Sequence, residues 1–89
     1  MSRRRYDVQL SSSAARAFRK FDPDVQRRLA RQIDSLALNP RPPGVTKLAG
    51  EADLYRVRTG DYRIIYTIRD RVLMVLVLAI SHRRDVYRR

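Results

Sequence analysis

The chain predicts an α+β fold of two layers: an N-terminal strand, a helical hairpin and then a three-stranded antiparallel meander, in the order β-α-α-β-β-β. Three observations carry this. Apolar and polar residues alternate with period two near both ends of the chain, a single apolar stripe of helical period runs through its first half, and serine, proline and glycine fall between these segments.

Tyr6, Val8 and Leu10 alternate with Asp7 and Gln9, as in a short strand with one buried face. Ser11, Ser12 and Ser13 then offer N-cap oxygens, and Ala14, Ala15, Phe18 and Phe21 recur at helical steps, so a first helix is expected over Ser13–Phe21. Asp22-Pro23 opens a second helix, with proline where its missing N–H costs nothing. Val25, Leu29, Ile33 and Leu36 form its apolar stripe, while Gln26, Arg27, Arg28, Arg31 and Gln32 cover the other faces. Asn39-Pro40 ends it near Leu38. Asn39–Asp53, rich in proline and glycine, reads as a loop.

In the meander, Tyr55 and Val57 point one way and Leu54, Arg56 and Arg58 the other. A turn at Thr59-Gly60-Asp61 leads into a strand with Tyr62, Ile64, Tyr66 and Ile68 on one face and Arg63, Ile65, Thr67 and Arg69 on its opposite. Asp70-Arg71 makes a second turn, and Val72–Ile80, apolar on both faces, reads as a strand inside a sheet. The helical hairpin should cover one face of that sheet. A single domain over residues 1–89 accommodates all of this, since so short a chain reaches two layers at most.

Composition narrows the chemistry. With no cysteine there are no disulfides, zinc ribbons or thiol nucleophiles, and with His82 as the one histidine there is no His-rich metal site. Met1–Arg5 is basic but leads into no apolar signal segment, and Val72–Ile80 is too short to span a bilayer, so a reduced, soluble, cytoplasmic protein without membrane association is expected. The formal net charge of +11 at pH 7 gives so small a surface a strong field, which favours nucleic acid or acidic proteins as partners.

A two-residue loop at Gly60-Asp61 would set Arg58 directly opposite Arg63, with Arg56 on the same face; a three-residue loop over Thr59–Asp61 would pair Arg58 with Tyr62 and break the cluster. A lone exposed arginine is ordinarily only solvated. Three on one face, followed by Ser81-His82-Arg83-Arg84 and Tyr87, instead suit a phosphate site, because like charges across a strand pair cost stability and guanidinium forks bind phosphate oxygens in pairs.

The pattern Pro40, Lys47-Leu48-Ala49-Gly50, Tyr55-Arg56-Val57-Arg58, Gly60-Asp61-Tyr62-Arg63-Ile64-Ile65-Tyr66 and His82-Arg83-Arg84-Asp85-Val86-Tyr87 resembles the RelE/ParE superfamily of type II toxin–antitoxin systems, most of all its RelE branch. The resemblance implies a toxin that enters the ribosomal A site and cuts mRNA there through attack of the message's own 2′-hydroxyl, with neither metal nor cofactor, and that a cognate antitoxin holds inactive. It further implies that Arg63 and Arg83 stabilise the phosphate and leaving group and that Tyr87 positions a base or moves a proton. Arg56, Arg58, Lys47 and Arg84 would hold RNA.

Arg56 and Arg58 stand where the best-known members have lysine, and arginine does not accept protons. A general base must therefore be His82, Tyr87 or a group of the ribosome. A ParE-like toxin that inhibits DNA gyrase by binding, and a non-toxic basic nucleic-acid binder, are the competing readings.

Overall fold

The computed structural model describes residues 5–48, 50 and 53–82. The chain runs β1 (Asp7–Leu10), α1 (Ser12–Lys20), α2 (Pro23–Ser35), β2 (Thr46–Lys47), β3 (Leu54–Thr59), β4 (Tyr62–Arg69), a 3-10 turn (Asp70–Val72) and β5 (Met74–His82). The strands form one sheet in the order β1-β5-β4-β3-β2. The expected antiparallel meander is β3-β4-β5, and β1 joins its far side parallel to β5.

Both helices start where the sequence supplies a cap. Ser11 has extended backbone, and its hydroxyl accepts from the Ala14 N–H at 3.1 Å, which begins α1 one residue earlier than the apolar period alone indicates. Asp22 precedes Pro23 at the start of α2, whose last turn tightens when the Leu36, Ala37 and Leu38 amides bond back to Ile33, Asp34 and Ser35. The helical stripe lands as its spacing requires: Leu29, Ile33 and Leu36 are buried, and Val25 packs beside them. They meet Tyr55, Val57, Ile64, Tyr66, Ile68, Val75, Val77 and Ile80, one face of the sheet. Among the described residues no helix is long and apolar enough to cross a membrane.

Three details depart from the sequence expectations. Thr46 and Lys47, inside the expected loop, form a short edge strand by pairing with Arg56 and Tyr55. Val72 is 67% exposed in the turn, so β5 begins at Met74, after Leu73 with φ 52. The third departure is a β-bulge.

Ile65 pairs with Ala79 but Tyr66 pairs with Val77, so Leu78 is an extra residue in β5. Its carbonyl accepts a hydrogen bond from the Ser11 hydroxyl at 3.0 Å, while the Ser11 N–H donates to the Val77 carbonyl at 2.8 Å. The α1 cap thus also fastens the bulge. Because side chains alternate, the bulge changes the phase of β5: Val75 and Val77 face the helices before it, and Ile80 does so after it.

Candidate nucleic-acid interface

Gly60 has φ 61 and Asp61 does not share the positive φ, the arrangement of a two-residue hairpin turn with glycine first. That turn sets the register. Thr59 pairs with Tyr62, Arg58 with Arg63, and Arg56 with Ile65. Partners directly opposite in an antiparallel pair share a face, so Arg58 and Arg63 lie side by side, with Arg56 one diagonal away. Of the two registers the sequence leaves open, the chain adopts the one that keeps the arginines together.

This face is the one the helices leave uncovered. Arg58 is exposed and Arg56 and Arg63 are half-buried. None of the three makes an ion pair with a carboxylate among the described residues, where the ion pairs join Arg27 to Asp24 and Arg41 to Asp70. Below the arginines lies a half-buried apolar strip of Leu54, Ile65, Met74 and Leu76, with Thr67 only 8% exposed between Leu54 and Leu76. A concentration of guanidiniums that make no ion pair among the described residues, set over an apolar floor, favours an anion, since the forks present paired donors.

The other candidates fall elsewhere. His82 pairs with Tyr62, and its ring meets the Tyr62 ring edge-on at 4.9 Å and 84°. Tyr62 in turn meets Phe21 at 5.2 Å and 71°, so this aromatic row lies on the helix side. Ser81, not His82, is the partner of Arg63. Lys47 pairs with Tyr55, and its ammonium sits 6.0 Å from the centre of that ring, again on the helix side. Arg83, Arg84 and Tyr87 lie outside the described residues. The open face therefore unites Arg56, Arg58 and Arg63 but not His82 or Lys47.

One contributor escapes sequence reasoning. A Cβ placed on Gly60 would lie 3.1 Å from a guanidinium nitrogen of Arg28, so α2 lends a cation to the hairpin tip. Nothing in the spacing of Arg28 announces this, because it depends on how α2 crosses the sheet.

At the opposite end of the sheet one arginine is fully engaged. Arg41 forms a forked pair with Asp70, at 3.2 and 2.9 Å, donates to the Tyr55 hydroxyl at 3.4 Å, and lies 5.3 Å from the Tyr55 ring centre. The Tyr6 hydroxyl donates to Asp70 at 2.7 Å. The hydrogen bonds from Arg41 and Tyr6 hold the Asp70 carboxyl below its ordinary range, and that with Asp70 pushes the Tyr6 phenol up. Tyr66, stacked on Tyr55 at 5.9 Å, donates to the Pro40 carbonyl at 2.7 Å, and burial pushes its phenol up to about 12.

Residues 8–87 match the family described as the ParE toxin of type II toxin–antitoxin systems. A putative RelE-like toxin protein of Escherichia coli is 31% identical over 87 residues, covering 93% of this chain and 90% of that one. Toxin RelG of Mycobacterium tuberculosis is 31% identical over 88 residues, covering 94% and 98%. The archaeal RelE–RelB complex from Pyrococcus horikoshii contains a chain that superposes with a TM-score of 0.78 at 31% identity, covering 88% of this chain and 94% of that one. With a family match across nearly its whole length and RelE-type toxins among its relatives, the chain belongs to the RelE/ParE superfamily of type II toxin–antitoxin toxins.

Proposed function

We propose that this toxin is a ribosome-dependent, metal-independent endoribonuclease that cuts mRNA in the A site and so arrests translation and growth. The observation that carries the reading is the open-face cluster: Arg58 directly opposite Arg63, Arg56 beside them, and no ion pair from any of the three to a carboxylate among the described residues. Like charges placed so cost stability unless a ligand relieves them.

In the proposed reaction the 2′-oxygen of the message bonds to the adjacent phosphorus as the bond from phosphorus to the 5′-oxygen breaks. The 2′-hydroxyl loses a proton and the departing oxygen gains one. Arg63, with Arg56 and Arg58, stabilises the charge that builds on the phosphorane, and donors fixed in advance act mostly in the transition state. Arg83 and Arg84 extend the phosphate contacts, and Tyr87 serves proton transfer or base positioning. The arginines stay charged and supply no base. His82, against Tyr62 on the helix side, holds the end of β5 in place, and Lys47 contacts RNA only by reaching around the sheet edge.

A cognate antitoxin is the proposed partner, supported by the RelE–RelB complex of the P. horikoshii relative, and the cytoplasm is the proposed site of action. Such an antitoxin would cover the basic open face and deny it to RNA.

Primer extension on mRNA after induction, with wild type beside Arg63→Ala and His82→Ala, tests this. Cuts at defined codon positions should vanish in Arg63→Ala and persist in His82→Ala, and undiminished cutting by Arg63→Ala removes the reading. The ParE name of the matching family makes gyrase the second target to assay. Loss of supercoiling without mRNA cuts would put gyrase inhibition in place of the nuclease.

A further inference from the structure

We propose that the groove between α1 and the end of β5 is a second RNA-backbone site, one that grips folded RNA while the open face holds the strand to be cut. It rests on the nucleic-acid reading above. Ser13, Arg16, Ala17, Lys20, Phe21 and Ile80 line a groove of ≈ 330 Å³ on the helix side.

Arg16 and Lys20 are four residues apart, so they lie on one helix face separated by about 6 Å of rise, comparable to the distance between neighbouring phosphates on one RNA strand. Both are exposed, and neither pairs with a carboxylate among the described residues. The helix dipole accounts for a cation at Lys20, in the last turn of α1, but not for Arg16 further back. The Ser13 hydroxyl adds a further polar group on the rim. The floor is stiff: Ile80 is 6% exposed, and Phe21 is held by the row that continues through Tyr62 to His82.

Charge and shape favour RNA here over an acidic peptide. A docking peptide gains most by burying exposed apolar side chains, and the large ones among the described residues, Leu38 and Val72, lie outside this groove. A row of cations over a shallow floor reads backbone rather than sequence, which is how proteins hold double-stranded RNA. The groove and the open face are on opposite sides of the sheet, on the order of 10 Å apart at least. A single strand touching both would have to bend around the end of β5, whereas a folded RNA offers a second backbone at such a distance.

The test uses the full chain, an A-form RNA hairpin and a poly(U) strand, with binding followed by fluorescence anisotropy over a salt series. Arg16→Gln with Lys20→Gln should weaken hairpin binding about tenfold at moderate salt and flatten its log–log salt slope by roughly 1.4–1.8, the loss of two phosphate contacts. Poly(U) binding should not change, and Arg16→Lys with Lys20→Arg should restore the hairpin slope. An unchanged hairpin slope overturns the proposal. So does an equal loss on poly(U), which would make the groove part of the substrate path, and so does loss of antitoxin binding with hairpin binding intact.

The open face is tested separately by Arg56→Gln, Arg58→Gln and Arg63→Gln together, which should reduce poly(U) binding. If poly(U) ignores that triple change while the hairpin still depends on Arg16 and Lys20, the open-face reading fails and the second site stands.

Discussion

The two ends of this sheet treat the same residue type in opposite ways. At the turn between β4 and β5, Arg41 is locked to Asp70, backed by the Tyr6 and Tyr55 hydroxyls. At the hairpin tip, Arg58 and Arg63 face each other, and neither forms an ion pair with a carboxylate among the described residues. A guanidinium that already has partners gains little from a ligand, while one held against its own kind gains the contacts the fold withholds. The first end should therefore respond to mutation in stability and the second in activity.

The largest effect is expected from Arg63→Ala, which should lower mRNA cleavage on ribosomes by about 100-fold or more, as loss of one preorganised donor does elsewhere, with little change in unfolding midpoint. A fall in stability matching the fall in cleavage would erase the contrast between the ends. Next comes Tyr66→Phe at the satisfied end. Removing the hydroxyl leaves the Pro40 carbonyl without its donor in a buried setting, a cost of about 1–3 kcal/mol in denaturant unfolding, with cleavage unaffected in the folded fraction.

A smaller effect of opposite sign is expected at the tip. Arg58→Thr removes like-charge repulsion across the strand pair and should raise stability by about 0.2–1 kcal/mol, while weakening RNA binding. A loss of stability would mean that Arg58 contributes to the fold.

The smallest effect is a pH dependence confined to the Arg41 end. The Asp70 carboxyl is held below its ordinary value in the folded chain, so its contribution is fully present above the usual carboxylate range and is lost as pH falls through the lowered value. Unfolding midpoints of wild type and Asp70→Asn should differ near neutrality and converge in strong acid. Parallel curves across the range would show that Asp70 is not the titrating group.

These contrasts bear on what the sequence discloses. The α2 stripe, the Tyr55 and Val57 face and the alternation from Tyr62 to Ile68 are legible because burial repeats at the period of the element. The register of Arg58 against Arg63 was legible as one of two alternatives, decided by the turn at Gly60. The strand at Thr46–Lys47 was not legible, since two residues carry no period and its existence comes from pairing with β3. Nor was the Arg41 clamp, whose members Tyr6, Arg41, Tyr55 and Asp70 meet only once the sheet and the loop after α2 are assembled.

The faces of His82 and Lys47 were hidden for different reasons. Lys47 takes its side from a pairing that the loop composition does not reveal. His82 takes its side from an inserted residue in a strand that is apolar from Met74 to Ile80, where alternation leaves no trace.

That inserted residue, Leu78, works as a parity switch. Every position after it exchanges sides, so an unbulged β5 would turn the His82 imidazole toward the three guanidiniums and the Ser81 hydroxyl toward Tyr62. That exchange needs Leu78 kept and drawn into the ladder. Deleting Leu78 removes the bulge but leaves Ala79 opposite Ile65, Ser81 opposite Arg63 and His82 opposite Tyr62, so the faces stay as they are. The reactive groups offered to a bound message thus depend on one residue being held out of the ladder, where the Ser11 hydrogen bonds to the Leu78 and Val77 carbonyls fasten it.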